Sequence, residues 1–262
     1  MNFKKLLVAA SIIATTSTAS AALTAINGST LQDGLNSLTQ GGLFLDVNIE
    51  QQFHDETWEV SSFDGSVNQL LFEFAGFKNI AKFGIYDVFD KSKKLEIYAG
   101  NSCGSAEVDC TPDYNFSTLR YFANSFGFEA TTESSNFASI VNSEMFTSAE
   151  FGYYLHSGDG IFYSEKSLNN DSGPGSEAKH VVAIRGDNTT QIDVNGGTAY
   201  KTFSSSQYIL AWEDLKLQWS DKDYADFVIL VESVTPVPEP TTLAFLGLGL
   251  AGLGIARRKR KS

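Results

Sequence analysis

Most of this 262-residue chain consists of short segments rich in aromatic and β-branched residues, and this pattern constrains the fold more than any other feature. Gly, Asn, Asp and Ser separate the segments, and these residue types favour turns. Strand-like and helix-like segments do not alternate, which disfavours a parallel sheet. The pattern therefore predicts an all-β protein whose main domain is an antiparallel β-sandwich or jelly-roll-like fold.

One short helix is expected before these segments. Leu31, Leu35 and Leu38 follow helical spacing, Thr30 is a candidate N-cap, and Asp33 follows three residues later. After it we predict strands at Leu43–Ile49, Glu56–Ser61, Gln69–Ala75, Lys82–Asp87, Lys94–Tyr98, Leu119–Glu129, Glu150–His156, Ile161–Ser164, His180–Ile184, Gln191–Val194, Tyr208–Trp212 and Asp226–Val234.

The first 21 residues have the three parts of a secretory signal peptide. Lys4 and Lys5 form a basic start, an apolar stretch follows, and the segment ends in a cleavage site of the A-x-A type at Ala19 and Ala21. Cleavage is expected after Ala21, with a shift of one residue equally acceptable. The alternative is a buried N-terminal helix.

The C-terminal residues 236–262 contain a Pro-rich break, an uncharged apolar run and a basic cluster, in that order. The break includes Pro238, Glu239 and Pro240, and the apolar run covers Thr241–Ala256. This run is short for a membrane-spanning helix, which needs about 20 apolar residues. The basic cluster Arg257–Lys261 is expected to stay in the cytoplasm, which places the bulk of the chain on the opposite side of the membrane.

This tail resembles the PEP-CTERM sorting signal of Gram-negative bacteria, on Val237–Pro240, the apolar run and Arg257–Arg260. The resemblance implies that exosortase, a membrane protease-transpeptidase, cuts near the Pro-Glu-Pro. The protein would be anchored in the inner membrane only transiently, through the apolar helix. It would then be released or re-attached at the cell surface or in the matrix, usually in bacteria that make exopolysaccharide. The alternative is a permanent single-span anchor.

The domain between the two ends, residues 22–235, is strongly acidic. The whole chain has a net charge of −12, but seven basic residues and one acid lie in the two end segments, so the middle has 12 basic and 30 acidic residues and a net charge of −18. Nucleic acid is excluded as a partner, because binding it requires basic side chains that neutralise phosphates.

Five carboxylates fall within the fourteen residues Glu213–Asp226, between two apolar strands. They are Glu213, Asp214, Asp221, Asp223 and Asp226. Hard oxygen ligands at this density suit Ca²⁺, which takes about six to eight oxygens. The spacing is not that of an EF-hand. Two interpretations stay open: these residues are metal ligands, or they cap turns in solvent.

The same segment resembles a bacterial extracellular domain family of unknown function. The family pattern, an aromatic-Glu-Asp-Leu followed by Ser-Asp-x-Asp-Tyr, matches Trp212–Leu215 and Ser220–Tyr224, while Ala225 stands where the family usually has Asn. Weaker matches begin at Leu31, so the resemblance extends over most of 29–234. It implies a β-sandwich surface module, sometimes found in adhesins, with no established activity.

The two cysteines, Cys103 and Cys110, are compatible with a disulfide in an exported protein. It would close a small loop and act as a local staple worth about 2 kcal/mol.

No nucleophile motif of the Gly-x-Ser-x-Gly type is present, so the chain is not predicted to be an enzyme. The leading hypothesis is a secreted structural or adhesive module of the cell surface or exopolysaccharide matrix of a biofilm, stabilised by calcium. The alternative is a carbohydrate-binding module, and a third hypothesis is a hydrolase of matrix polymers.

Overall fold

The computed structural model describes residues 23–40, 45–53, 55–61, 65–73, 81–99, 116–133, 139–171, 173, 177–193 and 199–238. They form one α-helix, α1 at Thr30–Ser37, a 3₁₀ helix at Lys166–Leu168, and strands β1 to β15. The strands in chain order are Trp58–Val60, Ser66–Glu73, Lys82–Asp87, Lys94–Ala99, Phe116–Phe122, Gly127–Glu133, Ser139–Met145, Phe151–His156, Ile161–Tyr163, Val181–Arg185, Gln191–Asp193, Tyr200–Thr202, Gln207–Trp212, Phe227–Glu232 and Val234–Pro236.

The strands form two large antiparallel sheets and one small hairpin. The six-stranded sheet has the order β15-β1-β8-β3-β4, with β9 also paired to β8. The seven-stranded sheet has the order β10-β13-β14-β2-β5-β6-β7, and β11 pairs with β12. The sequence prediction of an all-β antiparallel fold with one short N-terminal helix is therefore confirmed.

The main core lies between the two large sheets and is dominated by aromatic rings. Phe83 of β3 stacks on Tyr153 of β8 with ring centroids 5.4 Å apart, and it also contacts Trp212 and Phe227 of the other sheet. Such rings bury a large apolar area, and their edge-to-face contacts add to the stability of the sandwich.

A second core covers the outer face of the seven-stranded sheet. Leu31 and Leu35 of α1 are buried there against side chains of β10, β13 and β14. Strand β13 is consequently buried along its whole length, with one set of side chains in each core. This explains why its sequence is a continuous apolar run instead of an alternating one.

Several predicted strand boundaries are wrong. Residues 119–129, predicted as one strand, belong to β5 and β6, which are joined by a turn at residues 123–126. Residues 46–49, predicted as the end of a strand, form a turn. Strands β7, β12 and β15 were not predicted, because β7 and β12 are largely exposed and lack an apolar alternation, and β15 contains a proline.

Three predictions lie outside the described residues: the signal peptide with Ala19 and Ala21, the pair Cys103 and Cys110, and the C-terminal apolar helix. Within the described part of the chain, no helix is long and apolar enough to cross a membrane.

Candidate functional site

The five predicted carboxylates lie in or beside the connection between two central, neighbouring strands. Strand β13 ends at Trp212 and β14 begins at Phe227, and these two residues are paired in the sheet. Glu213 and Asp226 therefore leave the sheet side by side. Asp214 follows Glu213, and the two remaining acids lie in the intervening loop.

Glu213 is fully buried, and only one of its two carboxylate oxygens is satisfied. Oε1 accepts a hydrogen bond from the backbone N–H of Tyr224 at 2.7 Å. Oε2 has no hydrogen-bond partner among the described residues. An isolated buried carboxylate oxygen is costly, because it has lost its water and gained nothing in return.

Oxygen atoms of Glu213, Asp221 and Asp223 lie within 4.8 Å of one another, and we call these three residues the carboxylate triad. Glu213 is buried, Asp223 is half-buried and Asp221 is exposed, so the triad runs from the protein interior to the surface. Calcium holds oxygens at about 2.3–2.6 Å, so two ligands on opposite sides of it are about 5 Å apart. The spacing of the triad fits an ion of this size.

One oxygen in each member of the triad is already used by the backbone. Asp223 Oδ1 accepts the N–H of Ala225 at 2.8 Å, and Asp221 Oδ1 accepts the N–H of Asp223 at 3.4 Å. These are the turn contacts that the alternative interpretation predicted. They orient the carboxylates and leave on each a second oxygen that these backbone contacts do not use.

The loop backbone is held in an unusual conformation. Lys222 and Tyr224 both have positive φ, at 62° and 54°. This region is disfavoured for bulky residues. Tyr224 is fixed there by the Glu213 contact and by its hydroxyl, which donates to the carbonyl of Lys179 at 2.7 Å. The N-terminal segment also holds the loop, because the Asn27 side chain and backbone donate to the carbonyls of Asp221 and Lys222.

Asp214 and Asp226 form a separate group. The backbone N–H of Asp214 donates to Asp226 Oδ2 at 3.0 Å. Asp214 is buried, and its Oδ2 has no hydrogen-bond partner in the described part of the chain. Burial raises the pKa of both carboxyls. The charge of Asp214 adds to the rise at Asp226, whereas at Asp214 the hydrogen bond to Asp226 opposes the rise and the charges of Glu213 and Asp159 add to it. This pair therefore retains a proton to higher pH than ordinary aspartates.

Burial also raises the pKa of Glu213 to about 7. The Ser220 hydroxyl and the Tyr224 N–H oppose this rise, and the charges of Asp226 and Asp221 add to it. A positive ion at the triad would reverse the effect, because it stabilises the charged form of the carboxylate.

Residues far away in sequence anchor the first half of the loop. Asp159 and Asp171 accept the backbone N–H groups of Lys216 and Leu217, at 2.9 and 2.7 Å. Asp171 also pairs with buried His180 at 3.0 Å, and the His180 carbonyl accepts the N–H of Glu213. Sequence reasoning did not find these anchors, since nothing local connects them to the loop.

The structure thus brings together three of the five predicted ligands and separates the other two as a pair. Of the predicted sorting-signal residues, Pro238 is described and exposed, whereas Glu239 and Pro240 lie outside the described residues.

Two family models match parts of this chain. Residues 236–261 match the PEP-CTERM protein-sorting motif. The chain carries a PEP-CTERM sorting signal. Such a motif marks an exported protein that transits the membrane and is processed there by exosortase. Residues 132–234 match a domain of unknown function, DUF4114.

The DUF4114 match runs from the end of β6 to the start of β15 and contains all five carboxylates. The weaker sequence resemblance that begins at Leu31 therefore starts well before the matched range. No curated protein and no solved structure gives a significant match to the chain.

Proposed function

We propose that this exported PEP-CTERM protein is a non-catalytic structural or adhesive module of the cell surface or extracellular matrix, stabilised by calcium at the carboxylate triad. One observation carries the calcium proposal: fully buried Glu213 has a carboxylate oxygen without a partner among the described residues, and its carboxylate lies in a group with those of Asp221 and Asp223. A bound cation supplies the partner that this oxygen lacks.

The chemistry of the donor set favours calcium over other metals. All three side chains offer carboxylate oxygens, the ligands preferred by hard cations, and no histidine or cysteine belongs to the group. The triad is built on an irregular loop, which suits the flexible coordination of calcium better than the strict octahedron of magnesium. Modules outside the cell commonly bind calcium with dissociation constants of about 0.1–1 mM.

Calcium at the triad would stabilise the fold by joining the start of the β13–β14 connection to its later part. Glu213 directly follows β13 and is fully buried, while Asp221 and Asp223 lie further along the loop, at the point where Asn27 holds it against the N-terminal segment. An ion bound only in the folded state adds its binding free energy to the stability of that state.

The position of the sorting signal supports a module that survives processing intact. Strand β15 ends at Pro236, and the N–H of Val237 makes a backbone hydrogen bond to the carbonyl of Thr57. Pro238 is exposed immediately afterwards. Cleavage near the Pro-Glu-Pro would therefore leave every described strand in place.

Thermal unfolding of the exported protein tests the calcium proposal. Saturating calcium is expected to raise the melting temperature over that in EGTA by about 5–10 °C, and magnesium at the same concentration by much less. Asp46→Asn, a charge change in an exposed turn outside the triad, serves as the matched control and retains the shift. An unchanged melting temperature in calcium would rule out the proposal.

Intact mass and cell fractionation test the destination. A mature chain that ends near Pro238 and occurs at the surface or in the matrix is expected. A chain that keeps its basic tail and stays in the inner membrane would contradict processing and surface delivery.

A further inference from the structure

Trp219 is 73% exposed, whereas the other two tryptophans, Trp58 and Trp212, are fully buried in the main core. The backbone around it is well fixed. The N–H groups of Trp219 and Ser220 both donate to the carbonyl of Lys216, at 2.8 and 3.1 Å. Lys216 is itself held by Asp159. The indole is therefore presented to solvent from an anchored turn.

This turn leads directly into the carboxylate triad. Ser220 follows Trp219, and its hydroxyl lies close enough to the Glu213 carboxylate to oppose the rise of its pKa. Asp221, the exposed member of the triad, comes next. The exposed ring and the open side of the triad thus belong to the same short stretch of chain.

The triad leaves a bound calcium incompletely coordinated. One oxygen of each carboxylate is occupied by a backbone N–H, from Tyr224, Ala225 and Asp223, so each side chain has one oxygen left for the ion. Calcium takes about six to eight oxygens, which leaves about three or more positions for other ligands. Because Asp221 is exposed, these positions face solvent.

From these two features we propose that calcium at the triad and the Trp219 indole together bind a neutral polysaccharide. Two neighbouring hydroxyls of a sugar ring would replace water on the ion, and the apolar face of the ring would pack on the indole. This inference rests on the proposed calcium site.

The negative charge of the domain favours a neutral polymer over an anionic one as the ligand. The segment 22–235 has a net charge of −18, so anionic polymers and anionic membrane surfaces are repelled. Polar side chains of the same stretch, Gln218 and Lys222, are exposed and available as hydrogen-bond donors to sugar hydroxyls. A neutral glycan is the ligand that fits both the ion and the ring.

Retention of the exported protein on immobilised mannan, arabinogalactan, dextran and laminarin tests the proposal. These polymers present neighbouring hydroxyls in different geometries. Retention on at least one of them is expected in calcium, with loss in EGTA. Trp219→Ala is expected to weaken retention about tenfold or more, the loss of about 1.4 kcal/mol or more of binding free energy. The matched control is Phe89→Ala, which removes another exposed ring, 69% exposed, from the β3–β4 loop and leaves retention unchanged.

Fluorescence provides a second readout that reports on Trp219 itself. Acrylamide in solution reaches only exposed indoles, and Trp58 and Trp212 are fully buried. Addition of the retained polysaccharide in calcium is expected to protect the emission from acrylamide, and no protection is expected in EGTA.

The outcomes separate this inference from the calcium proposal. Calcium-dependent thermal stabilisation without retention on any of the polymers would overturn only the polysaccharide inference. Retention that persists in EGTA or in Trp219→Ala, or retention only on the anionic polymer alginate, would also overturn it. Absence of thermal stabilisation by calcium would overturn the calcium proposal and, with it, this inference. Trp219→Ala should keep the thermal shift, because its side chain is not a ligand.

Discussion

Two buried carboxylates, Asp87 and Glu213, stand at the ends of central strands in this sandwich, and their surroundings differ sharply. Asp87, at the end of β3, accepts hydrogen bonds from the backbone N–H groups of Phe89, Asp90 and Thr147 and from the Thr147 hydroxyl. Glu213, after β13, has one backbone N–H on Oε1 and an unpartnered Oε2. Both oxygens of Asp87 accept hydrogen bonds, whereas Oε2 of Glu213 has no partner among the described residues.

A third buried carboxylate, Asp55, is compensated by an ion pair, although its Oδ2 has no hydrogen bond of regular geometry among the described residues. Its Oδ2 lies 2.8 Å from the Lys179 ammonium. Burial raises the pKa of Asp55, and the Lys179 charge opposes that rise. The protein thus has backbone donors for one buried acid and a lysine for another. Among the described residues, Glu213 Oε2 has neither a backbone donor nor a lysine, and the proposed cation site rests on this difference.

The largest loss of stability is expected on substitution of Asp87. Asp87→Ala would remove the buried acceptor shared by the N–H groups of Phe89, Asp90 and Thr147 and by the Thr147 hydroxyl, at a cost of about 3 kcal/mol or more. Urea unfolding should show this loss equally in calcium and in EGTA. A loss that appeared only in EGTA would mean that Asp87, like Glu213, depends on the ion.

In the absence of calcium, Glu213→Gln is expected to stabilise the protein, whereas Asp87→Ala destabilises it. The amide keeps an acceptor for Tyr224 and removes a buried charge, so the free energy of unfolding should rise by about 2 kcal/mol in EGTA at about pH 8. The same variant should lose the thermal shift caused by calcium. Destabilisation in EGTA, or an undiminished shift, would place the ion elsewhere.

The pH dependence of folding stability in EGTA follows from the raised pKa values of Glu213, Asp214 and Asp226. A carboxyl with a raised pKa binds its proton more tightly in the folded state. Its contribution to stability is complete below the unfolded pKa of about 4 and is lost as the pH rises through about 7.

Stability measured by urea unfolding in EGTA should therefore fall between about pH 5 and pH 8, and Asp226→Asn should reduce this fall by about 1 kcal/mol. Calcium binding requires ionised carboxylates, so the stabilisation by calcium should grow over the same range. A flat profile in EGTA would show that the folded state does not retain these protons.

The smallest loss of stability is expected on substitution of Asn27, which holds the loop of the triad against the N-terminal segment. Asn27→Ala removes the side-chain donor to the Asp221 carbonyl, which is exposed, and should cost about 1 kcal/mol or less. Because this contact orients the loop that carries two triad members, the variant should also weaken calcium binding severalfold. Isothermal titration measures both the affinity and any change in stoichiometry, and an unchanged affinity would show that the loop is positioned without Asn27.

The acidic cluster could be predicted from sequence because it is local. The apolar segments of β13 and β14 frame it, and its five acids are dense within a short loop. Its division into a triad and a pair could not be predicted. That division depends on the pairing of Trp212 with Phe227 and on anchors such as Asp171, which is 46 residues from its partner Leu217.

Prediction of the strands from sequence is limited in the same way, because it sees local patterns only. Buried strands with apolar side chains on both faces, such as β13, are visible in the sequence, as is the leucine spacing of α1. Strand β7 is not, because Ile140, Val141 and Met145 are exposed on an edge and no alternation marks a buried face. The turn between β5 and β6 lacks a Pro or a paired Gly signal, which is why the two strands read as one.

The most direct test is the calcium stoichiometry of the exported protein, measured by isothermal titration in the native sequence, in Glu213→Gln and in Asp214→Asn. We predict one calcium site per chain, lost in Glu213→Gln and retained in Asp214→Asn, because Glu213 belongs to the triad and Asp214 does not. Retention of the site in Glu213→Gln, or its loss in Asp214→Asn alone, would contradict the assignment of the ion to Glu213, Asp221 and Asp223.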